Sequence, residues 1–200
     1  MSDPFSVAGI QETGTPDAAG GAAPPAGVVL RTEPHACFAC GDLNEVGLHL
    51  QLHLFPGGCW TELVVPDRFQ GWEGVAHGGI VSTILDEVMT WSLIERDRWG
   101  VTARLTVAFK RPLMIGRRIR AEGRVVEDRR RLVTTAGSVV DAETGDELAS
   151  AEGTFVTVTE SKKRQLQARY GNLAEARRAA ERESAEARGA VADAGAWKRP

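Results

Sequence analysis

The residues with the clearest chemical potential lie in Gly74-Val75-Ala76-His77-Gly78-Gly79-Ile80, with Asp86 and Glu87 two helical turns further on. The start of a helix leaves backbone N–H groups without intrahelical acceptors. Where glycines keep side chains out of the way, such groups can receive a carbonyl oxygen as it gains negative charge. On a helix beginning here, Asp86 falls off the stripe formed by Ile80, Ile84 and Val88, with Thr83 and Thr90 as neighbours, so a polar cavity is expected on its side. Glu87 points about 100° away, between Thr83 and Trp91 at the edge of the apolar face, where a structural bond to sheet or loop is expected. A carboxylate in a mostly buried helix is costly unless it has partners or a task. The residue types alone leave two readings open. One is an oxyanion-binding helix start with a working carboxylate; the other is a His/Gly helix cap with an acid that bonds a neighbouring strand.

The helix that must carry these groups spans Ile80 to Ile94, where Ile80, Ile84, Val88 and Trp91 share one face with Val81 and Leu85 beside them. That apolar arc is too broad for a surface helix, so sheet is expected to wrap it. Leu48, Leu50, Leu52 and Leu54 alternate with His49, Gln51 and His53 as a half-buried strand does, and Pro56-Gly57-Gly58 turns the chain into a second strand from Cys59 to Val65. After the helix, Val101 to Lys110, Arg117 to Glu127, Leu132 to Asp141 and Glu147 to Val158 read as four more. Pro112 and Gly116 punctuate them, and Glu143-Thr144-Gly145-Asp146 forms a hairpin turn. The segment 1–33 is rich in Ala, Gly, Pro, Ser and Thr and reads as a disordered arm. Residues 34–159 form the domain, and 160–200 a charged, Ala-rich helical tail in which Leu166, Tyr170 and Leu173 recur at helical spacing. Both tails are expected to be dispensable for chemistry.

Composition narrows the partners. A chain of 200 residues, 42% hydrophobic, has no stretch of the apolar length a membrane span needs. The start of the chain reads neither as a secretory signal nor as a transit peptide, and a cytoplasmic location is expected. A net charge of -3 offers no global attraction for nucleic acid or an anionic membrane. Three cysteines are an odd number and argue against a disulfide framework. A small molecule or another copy of the chain is the expected partner.

The His77-Gly78-Gly79 run with an acid nine positions after the histidine, set between two strands and four strands, resembles the hotdog-fold thioesterases of the phenylacetate-pathway and hydroxybenzoyl-CoA type. The resemblance extends over about Cys37 to Val158, and includes Cys37-Phe38-Ala39-Cys40-Gly41, Gly47-Leu48, Arg111-Pro112 and Gly116. It implies an α+β hotdog fold, an antiparallel sheet wrapped around a central helix, assembled as a homodimer or homotetramer. It also implies hydrolysis of an acyl-CoA or carrier-bound thioester to free acid and thiol, without metal or redox cofactor. In this likeness the Gly78 backbone N–H polarises the thioester carbonyl with His77 beside it, and Asp86 acts as base or nucleophile, facing the Gly and His of the other subunit. Thr102 helps to place the water. Gln70, shifted by one residue relative to some relatives because the Gln70-Gly71-Trp72-Glu73-Gly74 loop is longer, stands at the substrate with Gly79 and Glu87. A non-catalytic acyl-CoA binder or sensor of the same fold is the alternative, and a hydratase using the histidine as base is a second; Asp86 and the glycine pair favour hydrolysis.

The remaining candidates divide between function and scaffold. Cys37-x-x-Cys40-Gly41 has the spacing of half a zinc site, yet no second pair exists and His35, His49 or His53 would have to be recruited, so a tight turn without metal is expected. Cys59 reads as an ordinary strand residue. Trp72, Trp91 and Trp99 either line an acyl pocket or fill the core. Lys110, Arg111 and Arg129-Arg130-Arg131 either meet the phosphates of coenzyme A or cap solvated strand ends.

Overall fold

Alternation and punctuation translate into strands, and the one broad apolar arc into the helix they enclose. In the computed structural model, which describes residues 24–171, the order is β1 (Val28–Val29), β2 (His53–Phe55), β3 (Gly58–Val64), α1 (Gly78–Glu95), β4 (Gly100–Phe109), β5 (Arg118–Arg129), β6 (Leu132–Asp141), β7 (Glu147–Thr157) and α2 (Glu160–Tyr170). Every pairing is antiparallel, and the strands lie in one sheet in the order β1-β2-β3-β5-β6-β7-β4. Strand β4 follows the helix in sequence but lies at the far edge beside β7. α1 therefore crosses the sheet between distant strands and packs on β3, β5, β6, β7 and β4.

The breadth of the buried arc on α1 follows from that position. Val81, Ile84, Leu85, Val88, Met89, Trp91, Leu93 and Ile94 are all buried, against Ile119, Ala121, Val133, Val139 and Phe155 of the sheet. Burial of this kind contributes about 25 cal/mol per Å² of apolar surface removed from water, the main term holding the fold. The helix can come this close because β5 has a glycine beneath it. A Cβ built on Gly123 would stand 2.6 Å from the Met89 nitrogen and the Val88 carbonyl, which are backbone atoms unable to give way. Gly123 pairs with Gly137 on β6, where a Cβ would meet Met89 Cγ at 3.1 Å.

Three segments differ from their sequence reading. The leucines of 48–54 alternate in burial as expected, with Leu50, Leu52 and Leu54 buried, but only His53–Phe55 forms a ladder. The Leu48 and Leu50 N–H groups donate instead to the Phe38 and Ala39 carbonyls at 2.8 and 2.9 Å, and His49 turns through φ 51°. This backbone is spent on the cysteine loop rather than on a neighbouring strand. Val28–Val29, in the stretch read as a disordered arm, pairs with His53 and Leu54, and the Trp60 indole N–H donates to the Pro25 carbonyl at 3.0 Å. The rest of that arm, 1–23, lies outside the described residues.

The helical tail begins as expected. Thr159 caps α2 by accepting the Lys162 N–H at 3.3 Å, and Leu166 and Tyr170 pack against the core. Lys163 pairs with Asp97 at 2.6 Å and Arg169 donates to the Pro34 carbonyl at 2.8 Å, so α2 holds the N-terminal segment and the end of α1. Leu173 and the remainder of the tail lie outside the described residues. Segments expected to be dispensable thus carry packed contacts on both sides of the domain.

Seating the helix backbone on Gly123 generates a test. Gly123→Ala is expected to lower the unfolding free energy by about 1–3 kcal/mol, the cost of overpacking a filled core. Urea denaturation measures it, and unchanged stability would show that the helix is not held at this depth.

Candidate active site

The approach to α1 is pinned before the helix begins. A short 3-10 turn at Asp67–Phe69 presents the Phe69 carbonyl to the His77 N–H at 2.9 Å, and the Ala76 N–H donates to the Leu113 carbonyl at 2.9 Å. Between them the Gln70 side chain closes the glycine loop by accepting the Gly74 N–H at 3.2 Å, and Gly71 lies against the His77 ring. His77 is the N-cap: its Nδ1 accepts the Gly79 N–H at 2.9 Å. An accepting Nδ1 places the proton of the neutral ring on Nε2, which is turned outward as a donor. The Gly79 N–H is therefore consumed by the cap. The Gly78 N–H, at the first helical position, has no intrahelical carbonyl to bond. Its surroundings are tight, since a Cβ at Gly78 would lie 3.3 Å from the Phe109 ring.

Two turns along, Asp86 leaves the apolar stripe and meets β4. The Thr102 hydroxyl donates to Asp86 Oδ1 at 2.8 Å, and the second carboxylate oxygen accepts no bond among the described residues. The ladder with β7 shifts register between Thr102 and Arg104, a bulge that directs the Thr102 side chain at this point on the edge strand. Burial raises the Asp86 pKa above the usual carboxylate value, with the Thr102 bond opposing the shift. Helical rise separates Gly78 from Asp86 by about 12 Å within one chain, too far for both to act on the same carbonyl group.

Glu87, expected at the substrate, lies instead in a separate cluster. Its Oε1 accepts the Trp91 indole N–H at 2.7 Å, and its carboxylate meets the thiols of Cys37 and Cys40. Burial lifts its pKa to about 7, against the opposing bonds from Cys40 and Trp91. The Cys40 thiol hydrogen-bonds Cys37, bringing the Cys37 pKa down to about 5, while the same bond and burial push Cys40 up. This convergence escaped the sequence reading. The Cys-x-x-Cys-Gly spacing and the structural bond expected of Glu87 were its two signals, but nothing local joins residues 50 positions apart. Trp91 and Trp99 meet edge to face at 6.3 Å and are buried core residues, while Trp72 is 85% exposed beside the glycine loop. Lys110, Arg111 and Arg129 pair with Glu147, Asp146 and Glu127 at 2.7, 3.2 and 2.6 Å, so their charges are matched by neighbouring strand and turn acids.

Comparisons with known proteins agree with this architecture. A model of the thioesterase superfamily matches residues 73–147, from the glycine loop to the start of β7. Human acyl-coenzyme A thioesterase 13 is 26% identical over 101 residues, which is 50% of this chain and 72% of that protein. A crystal structure of a thioesterase superfamily protein superposes with a TM-score of 0.55 at 28% identity; the match covers 58% of this chain and 60%, under two thirds, of the other. A Streptococcus mutans protein crystallised with acetyl-CoA has the same fold, with a TM-score of 0.52 at 22% identity over 59% of this chain and 97% of its own. With a seven-stranded antiparallel sheet around a helix entered through His77-Gly78-Gly79, the chain has the hotdog fold, and its residues 73–147 are similar to the thioesterase superfamily.

Proposed function

We propose that this protein hydrolyses an acyl-CoA thioester at a site assembled from two copies of the chain. The observation that carries the reading is the pair of unequal polar groups on α1: an uncommitted N–H at Gly78 and a desolvated Asp86 held through one oxygen by Thr102. They are about 12 Å apart in one chain, so a twofold arrangement of antiparallel helices is what would bring Asp86 of one protomer opposite Gly78 of its partner. Strand β4 offers the means, being a ten-residue sheet edge with Val101 61% exposed. The acyl-CoA thioesterase among the relatives and the acetyl-CoA of the S. mutans structure support the substrate class.

In this mechanism the free oxygen of Asp86 takes a proton from water as the water oxygen attacks the thioester carbonyl carbon. The carbonyl oxygen becomes an oxyanion at the Gly78 N–H, where the helix start favours negative charge. Collapse breaks the C–S bond and expels the coenzyme A thiolate, leaving the free acid; the proton held by Asp86 then returns to the thiolate. Direct attack by Asp86 is the variant of this chemistry. Label in the Asp86 carboxylate after a single turnover in ¹⁸O water would establish direct attack, because attack by water on the thioester places the label only in the product acid.

Asp86→Asn is expected to lower kcat on an acyl-CoA by about 10²–10⁴ with the fold retained, the usual worth of a positioned base. Glu87→Gln is expected to act chiefly on stability or KM. Free-thiol release across a panel of acyl-CoA thioesters reads both; tight acyl-CoA binding with no turnover by the wild type would replace the enzyme by a binder. Sharing of the site is tested by mixing inactive Asp86→Ala protomers with inactive Gly78→Pro protomers, which should restore activity in hybrids. Absence of recovery after proven subunit exchange would put the whole site in one chain.

A further inference from the structure

The cluster around Glu87 gathers side chains that are all metal-ligating types. The two thiol sulfurs of Cys37 and Cys40 and a carboxylate oxygen of Glu87 all lie within 4.8 Å of one another. A fourth donor adjoins them: His35, 3% exposed, has its Nε2 3.3 Å from Cys40 Sγ. The other ring nitrogen, Nδ1, lies 3.1 Å from the Glu33 carbonyl, which can only accept, and 3.4 Å from the Thr32 hydroxyl; in the tautomer that donates to Glu33, the Nε2 lone pair faces the cluster. Histidine ligands are commonly fixed in this way, by a backbone carbonyl on the far nitrogen. Glu87 is oriented in turn by the Trp91 indole N–H.

The backbone is shaped around the same point. The Gly41 N–H donates to the Cys37 carbonyl at 3.0 Å, the Leu43 N–H to the His35 carbonyl at 3.1 Å, and the His35 N–H to Asp42 Oδ1 at 3.0 Å. A Cβ on Gly41 would collide with the backbone of His35 and Cys37, so the loop closes this tightly only with glycine there. The Tyr170 ring of α2 then packs edge-on against the His35 ring at 5.0 Å.

We propose that His35, Cys37, Cys40 and Glu87 form a structural binding site for one thiophilic, tetrahedral divalent cation, with zinc the best match. Two sulfurs and one carboxylate oxygen already stand together, and His35, which reaches Cys40 but lies outside that mutually close trio, closes on them to complete the four-donor set that zinc accepts. Ligands about 2.0–2.3 Å from a tetrahedral ion stand roughly 3.3–3.8 Å from one another, and the His35 to Cys40 separation falls there. Once the thiol protons have left, the cation is the positive partner for two thiolates and a carboxylate withdrawn from water, and none of the ion pairs among the described residues competes for Glu87. A Cys37–Cys40 disulfide would satisfy the sulfurs but leave both Glu87 and the inward face of His35 without a purpose. The cation uses all four groups, the thiol protons leaving as it binds. It ties the loop before β2 to α1 one residue from Asp86, which makes it a clamp on the helix turn that carries the candidate base.

The test uses the full chain and does not read activity, so it stands or falls separately from thioester hydrolysis. Protein isolated without chelator is expected to contain about one zinc per chain by elemental analysis. Chelator-stripped, reduced protein should take up one equivalent of zinc in competition with a chromophoric chelator. Reconstitution with cobalt(II) should give thiolate-to-metal charge-transfer bands and the intense visible bands of a tetrahedral ion. Cys37→Ser and Cys40→Ser should abolish those bands, and Glu87→Gln and His35→Gln should each weaken zinc binding by about 10-fold or more. Should the cysteine variants not fold, the wild-type cobalt spectrum decides alone. No zinc uptake by the reduced wild type, or a cobalt complex lacking thiolate bands, overturns the proposal.

Discussion

The depth at which α1 lies in the sheet is the constraint on which the rest of this structure depends. A helix normally stands off a sheet by the thickness of two layers of side chains. Here the backbone at Val88 and Met89 rests on Gly123, where even a methyl group would intrude to 2.6 Å. That contact fixes the height and rotation of the helix together. It turns Ile84, Leu85 and Val88 into the sheet and leaves Asp86 and Glu87 at two different margins of the buried arc. Without the glycine the helix would rise, and neither acid would keep its present partners.

Two adjacent carboxylates on one helix consequently live in different electrostatic worlds. Asp86 is partly desolvated and, among the described residues, carries a single hydroxyl donor from an edge strand and retains a free oxygen. Glu87 is withdrawn further, with an indole donor and two thiols, and its proton affinity rises to about neutrality. A side chain with an open oxygen at the rim suits proton transfer to a transient ligand, whereas one enclosed by fixed donors suits a permanent bond. The roughly 100° between successive residues of a helix is what allows one turn to serve both purposes.

The edge of the sheet links this asymmetry to assembly. β4 pairs with β7 on one side only, and Thr102 and the exposed Val101 both lie on this edge strand. A ten-residue edge of this kind is a standing invitation to further pairing. Placing the partner of the candidate base on that strand puts the site where a second copy would cover it. The cysteine loop works from the opposite flank, where α2 and the segment near Pro34 close over His35.

Much of this architecture was legible in the sequence, because its signals are local. Period-two alternation predicted the four long strands to within two residues, and the width of the apolar arc announced an enclosed helix before any strand was paired with it. The His77-Gly78-Gly79 run told of a helix start with a spare N–H, although only the folded structure has the histidine take the Gly79 N–H and leave that of Gly78. Leu48–Leu54 kept its alternating burial but not its ladder, because burial follows the side chains whereas pairing depends on which backbone happens to lie alongside. The Thr102 bond to Asp86, the seat at Gly123 and the meeting of His35, Cys37 and Cys40 with Glu87 belong to tertiary structure alone. Each joins residues far apart in the chain, and a sequence encodes what its neighbours within a turn or a strand will do, while contacts across the fold exist only once the helix has been set into the sheet.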